Sequence, residues 1–179
     1  MKRKDARGFT LIELLIVVAI IGIIAAIAAP GLQRARMAGN ETSAIGSMRA
    51  ITSAQAAYAA TCANGGFAVD LADLALAPGT SGAAFISPDL NANGVIKTGY
   101  TVALGPGAGA QLVTPAANTC NAAANDAVGA FYAHAEPVTV GSTGSRSFAT
   151  DTRNAIFQDS SGAQIPDPPT VGGTIAIVQ

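Results

Sequence analysis

The sharpest pattern in the chain lies near its start, where Phe9 to Ala29 reads FTLIELLIVVAIIGIIAAIAA, an apolar run interrupted by one charge. At about 1.5 Å per residue, roughly 21 helical residues match a hydrocarbon core of about 30 Å. This predicts a helix that enters or spans a membrane. The Pro30-Gly31 pair that follows should kink or locally melt it. Past that pair the sequence is rich in helix formers, and Ile45, Met48, Ile51 and Tyr58 fall broadly on one side. One long, bent helix is therefore predicted to run to about Cys62, with its second half packed on a head, and Asn64-Gly65-Gly66 marks its end.

Beyond residue 64 the pattern changes to short runs and turns. Asp70 to Leu76 predicts a brief helix and residues 79–94 a loop. Tyr100, Val102 and Leu104 alternate, and strand-like patches follow at 128–140, 145–150 and 155–158. Asn154 falls in the last of the turns, where positive φ is tolerated by asparagine. Ile165-Pro-Asp-Pro-Pro excludes a central strand, whereas Thr174 to Val178 reads as an edge strand or an exposed contact. The expected fold class is α+β, a long helix against a small antiparallel sheet.

Charge orients this arrangement. Lys2, Arg3, Lys4 and Arg7 against Asp5 hold the N-terminus in the cytoplasm and send the remainder outward. Half of all residues are hydrophobic and 12% are charged, which excludes a disordered chain. Aromatic residues make up 5% with no Trp, so the core must be built from small side chains. A formal charge of -1 argues against nucleic-acid binding by bulk phosphate attraction, leaving only a local cluster of Arg34, Arg36 and Arg49 as a route to it. An ordinary secretory signal cut near the AIAAP stretch is the competing reading of the start. Against it, the apolar run is long and carries Glu13, a carboxylate costing about 2.5 to 3.5 kcal/mol within a membrane and so a functional candidate in need of a cationic partner.

Residues Lys4 to Pro30, headed by Gly8, Phe9, Thr10, Leu11, Ile12 and Glu13, resemble the N-terminus of type IV prepilins and type II secretion pseudopilins. The resemblance implies that a membrane-embedded prepilin peptidase/methyltransferase cuts between Gly8 and Phe9 and methylates the new amino terminus of Phe9. It also implies that the apolar segment is retained, that Glu13 neutralises the Phe9 ammonium of a neighbouring subunit, and that Gly22 and Pro30 loosen within filaments. A pilin-like architecture follows: residues 1–8 a leader, 9–30 a transmembrane and filament-core helix, 31–63 its amphipathic continuation and 64–179 a β-rich head. Its partners would be identical or related subunits, an inner-membrane assembly platform and the membrane itself. Once Phe9 is terminal, Glu13 lies one helical turn inside, where helix dipole and ammonium both favour a carboxylate. Loss of residues 1–8 leaves 6 basic against 10 acidic side chains, a mildly acidic exported part.

The remaining signals are weaker. Cys62 and Cys120 lie in the exported part, where oxidation favours one bridge over two free thiols. Asp89-Leu-Asn91-Ala-Asn93-Gly94 matches half a calcium loop, but Tyr100 stands where a bidentate Glu is required, so a turn is the better reading. The run Gly105 to Ala110 lacks the Lys-Ser/Thr of a phosphate loop and reads as a flexible connection. His134, the sole histidine, has no nucleophile motif beside it, fits a half-buried strand position and leaves a zinc site without ligands. No cofactor or metal is expected. A filament subunit, not an enzyme, is the reading that follows; a signal-anchored extracytoplasmic binding module or enzyme is the alternative.

Overall fold

The computed structural model describes residues 9–79 and 82–178, which form two compact units divided in sequence between Arg36 and Met37. Helix α1 (Leu11–Thr61) runs through both. In the first unit every described side chain is exposed, Leu11 to 81% and Ile27 to 76%. Its apolar side chains are left largely uncovered, a surface of the kind that marks a membrane or protein contact. Helical structure continues through Gly22 and Pro30 without interruption. The proline withdraws the N–H that would bond the carbonyl of Ala26, yet its fixed φ suits a helix and its flanks are strong formers. The local melting expected at Pro30-Gly31 therefore does not occur in this structure.

In the second unit α1 buries Glu41, Ala44, Met48, Ile51, Gln55 and Tyr58, steps of three and four that define one face. It ends where Asn64 and Gly65 adopt positive φ of 54° and 92°. Helix α2 (Leu71–Ala75) is capped by Asp70, whose carboxylate accepts from the N–H of Ala72 at 2.8 Å. A single turn of 3-10 helix at Pro88–Leu90 interrupts the expected loop.

The strands are β1 (Val95–Lys97), β2 (Tyr100–Pro106), β3 (Leu112–Thr114), β4 (Ala127–Val128), β5 (Phe131–Pro137), β6 (Ser147–Asp151), β7 (Ile156–Asp159) and β8 (Ile175–Ile177). Six of them form an antiparallel sheet in the order β1-β2-β5-β6-β7-β8, and β3 and β4 form a separate two-stranded ribbon. On the sheet's inner face Tyr100, Val102, Leu104, Phe131, Ala133, Ala135 and Phe148 meet Met48, Ile51 and Tyr58 of the helix in one buried cluster. Alternate residues Tyr132, Ala149 and Phe157 occupy the opposite face under Ile165, whose carbonyl accepts from the Tyr132 hydroxyl. The α+β architecture is as expected. Strands β1 and β3 lie outside the patches the sequence indicated, and Gly105–Pro106 extends β2 opposite Tyr132 and Phe131 instead of belonging to a loose connection.

Candidate assembly site and the fastenings of the head

Thr10 precedes the first helical residue, and Glu13 is three positions on, the spacing at which a helix start can satisfy its own orphan donors. Glu13 Oε2 accepts from the Thr10 N–H at 2.9 Å and from the Thr10 hydroxyl at 2.6 Å, while the Glu13 N–H donates to Thr10 Oγ1 at 3.3 Å. All of the carboxylate's contacts are thus local and fall on one oxygen; its side chain has no cationic partner among the described residues. Sequence reasoning singled out Glu13 and passed over Thr10, although T-x-x-E is the pattern of a capping box. Phe9 stands at the exposed end, 88% accessible. Gly8 lies outside the described residues. Gly22 and Pro30 both lie within α1, and a Cβ built on Gly22 meets nothing within 4 Å.

The head is fastened by polar contacts that apolar periodicity did not reveal. Glu41, buried on α1, accepts from the N–H and hydroxyl of Ser145 at 2.9 and 2.8 Å and from Arg146 Nε and Nη2 at 2.9 and 2.6 Å. Burial alone would raise its carboxyl pKa, but these Ser145 and Arg146 donors together hold it below its ordinary value. Gln55 binds both backbone groups of Ala68, donating at 2.7 Å and accepting at 2.9 Å. Cys62 and Cys120 are bonded to each other, closing a separation of 58 residues between the helix end and the loop after β3.

The other singled-out residues are in structural service. Asp89 is ion-paired with Lys97 at 2.6 Å and hydrogen-bonded by Ser87, so its carboxyl is held below the ordinary range by Lys97 first and Ser87 second. Asn93 binds the Asp70 carboxylate and the backbone of Leu104. Both residues are thus occupied in closing a turn. His134 is half-buried on β5 between Ala103 and Ala149, 3.6 Å from Glu136, and burial pushes its pKa down against the opposing pull of that carboxylate. It borders a cavity of about 420 Å³ with Tyr132, Gln164 and Asp167. No set of three or more His, Cys, Asp or Glu side chains converges to hold a metal among the described residues. Arg34 and Arg36, two positions apart on a helix, point about 160° from each other and do not form one basic patch.

Comparison with known proteins bears on a short part of the chain. Residues 3–29 match the family model described as the prokaryotic N-terminal methylation motif. Over 39 residues the chain is 59% identical to the type IV wide pilus major component PilA4 of Thermus thermophilus, a match covering 22% of this chain. The chain spans about 30% of the length of that curated relative. No solved structure matches the chain. The methylation motif at its head, the related pilin segment, and a long apolar helix leading into an antiparallel sheet are features in which the chain resembles type IV pilins and pseudopilins.

Proposed function

We propose that this chain is the structural subunit of a type IV pilus, made as an inner-membrane prepilin with its N-terminus in the cytoplasm, cleaved after Gly8, methylated on Phe9 and polymerised through the apolar helix into a periplasmic or extracellular filament. The observation that carries the reading is Glu13, a carboxylate bonded among the described residues only to Thr10, at the head of a helical stretch whose apolar side chains are exposed as far as Arg36. Cleavage would turn the Phe9 amide into an ammonium one helical turn away. Between packed helices that ammonium and a neighbour's Glu13 would satisfy each other, and removal of one member of such a buried pair typically costs about 3 to 5 kcal/mol. The charge pair would fix the register of the helices, and apolar packing would supply the bulk of the association.

Residues 1–8 are on this reading a leader, 9–30 the membrane and filament-core helix, 31–63 its continuation and 64–179 the displayed head. Gly22 and Pro30 are the positions where the helix would extend on assembly, since one lacks a side chain and the other an N–H. The partners are further copies, the prepilin peptidase and an assembly platform. A structural role, without catalysis, suits a head whose polar side chains are engaged in fastening it. The relative's name as a pilus major component favours a pilus body subunit over a secretion pseudopilin.

Two measurements test this. Intact mass of the exported form should correspond to a chain beginning at N-methylated Phe9; a chain beginning near Gly31 would instead identify a cleaved secretory signal. Glu13→Ala should leave insertion and cleavage intact and abolish fibre recovery from sheared cells. Fibre yield equal to wild type would overturn the charge-pairing mechanism.

A further inference from the structure

Strands β1 and β8 form the two edges of the six-stranded sheet, and every step between them is antiparallel. With six strands alternating in direction, the two edges run opposite to each other. Copies held in one orientation therefore present β8 of one and β1 of the next with the polarity of an antiparallel pair.

The backbone parity agrees. Val178 donates to Ile156 at 2.8 Å and Thr174 accepts from Ser160 at 3.1 Å, so these residues face β7, and the alternation of an antiparallel ladder turns the N–H and C=O of Ile175 and Ile177 outward. Ile175 is already bonded both ways to Gly172 at 3.0 Å, which leaves Ile177 as the open position on that edge. On β1 the two-residue turn Thr98-Gly99, with φ of 48° and 78°, closes on the Lys97–Tyr100 pair. Lys97 therefore faces β2, and Ile96 before it turns its backbone outward.

The side chains agree too. Ile96 lies opposite Thr101, which lies opposite Glu136; Ile177 lies opposite Phe157, then Ala149, then His134. His134 and Glu136 are two apart on β5, so Ile96 and Ile177 share one face of the sheet. They are 64% and 50% exposed, unusual for isoleucine on a strand. Neither edge is guarded against pairing: β8 has no charge or proline, and the Lys97 charge on β1 is tied to Asp89.

We propose that β1 of one copy and β8 of its neighbour join as an antiparallel pair centred on Ile96 and Ile177, continuing the sheet from head to head. The partner is a second copy of this chain, and the inference rests on the filament reading, which supplies copies in one orientation. Direction, backbone parity and face are separate conditions, and both edges meet all of them at an isoleucine.

The test uses fibres from cells expressing the full-length Ile96→Cys/Ile177→Cys double variant. A hydrogen-bonded antiparallel pair sets Cα atoms about 5.5 Å apart, inside the reach of a disulfide. Mild oxidation should give a reducible ladder of covalent oligomers from the double variant and only monomer from each single variant. Fibres that yield only monomer overturn the sheet continuation and leave the filament reading standing, whereas wild-type cells without fibres overturn both. Should the double variant form no fibres, Ile96→Pro decides: it removes the outward N–H while sparing the β1–β2 ladder. Fibre yield should then fall severalfold with the head's melting temperature nearly unchanged, and undiminished yield overturns the proposal.

Discussion

The two units of this chain solve opposite problems. The first, up to Arg36, exposes every described side chain and is apolar along most of its length; it has nothing of its own to bury against. The second encloses a core that includes Met48, Ile51, Tyr58, Tyr100 and Phe148, and ties its part of the helix to the loops around the sheet with Glu41, Gln55 and a disulfide. On the proposed reading one unit is built for lipid or for other copies, and the other carries its own core. Changes in the first should therefore alter assembly and leave folding alone, while changes inside the second should alter folding first.

The largest separation is expected at Glu13. Its replacement by Ala should remove fibres while leaving the head's thermal unfolding unaltered, because among the described residues the carboxylate's bonds are confined to Thr10. Parallel measurement of sheared fibre and of melting temperature checks this. A drop in both would show that the two units are coupled in a way their separate packing does not explain.

Next in size is the bridge. Closing a loop of 58 residues restricts the unfolded chain by about 4 kcal/mol in the chain-entropy model. The Cys62→Ser/Cys120→Ser double variant should lose stability of that order in denaturant melts of the exported protein. It should retain cleavage and membrane insertion, which depend on residues far earlier in the chain. An unchanged midpoint would mean the bridge constrains an already compact unfolded state.

Glu41 sharpens the same contrast on a smaller scale. Removing a buried carboxylate that accepts from Ser145 and Arg146 should cost the head about 2 to 3 kcal/mol. Its pKa is depressed in the folded state, so its stabilising effect is complete above the ordinary carboxyl value of 4.5 and is lost as pH falls through the depressed value. Melting temperature should accordingly decline below about pH 4.5 in the wild type, and less steeply in Glu41→Gln. Equal acid sensitivity in both would place the effect on other carboxylates.

How much of this could be read beforehand differs between the units for a physical reason. The apolar run with its single carboxylate is a local signal, complete within a few turns, and its helix and candidate site were legible from residues 8–30. The head's helix face was legible at Met48, Ile51 and Tyr58, but Glu41 and Gln55 share that face and were hidden because hydropathy marks them as surface residues; only their distant partners Arg146 and Ala68 justify their burial. Strand β1 was similarly hidden: Val95–Lys97 is too short to display alternation, and only the register with Tyr100 to Val102 defines it. Thr10 is the opposite case, since its capping pattern lay in plain view beside the more conspicuous glutamate.

The smallest effect tests whether the head's turns are tuned as closely as its fastenings. Asn154 sits between β6 and β7 at φ 59°, donates its N–H to the Asp151 carbonyl at 2.9 Å, and is exposed. Ala there should destabilise the head by about 1 kcal/mol, the cost of left-handed backbone for a side chain without a local polar group. Gly relieves that strain but gives the unfolded chain more freedom, worth about 0.4 to 1 kcal/mol in the other direction. Asn154→Gly should therefore be nearly neutral, with Asn154→Ala clearly below both, in the same melts that report on Glu41. Were Gly markedly less stable than Asn, the asparagine side chain itself would be holding the β6–β7 turn, and the head would depend on polar fastening even where its backbone alone suffices to explain the fold.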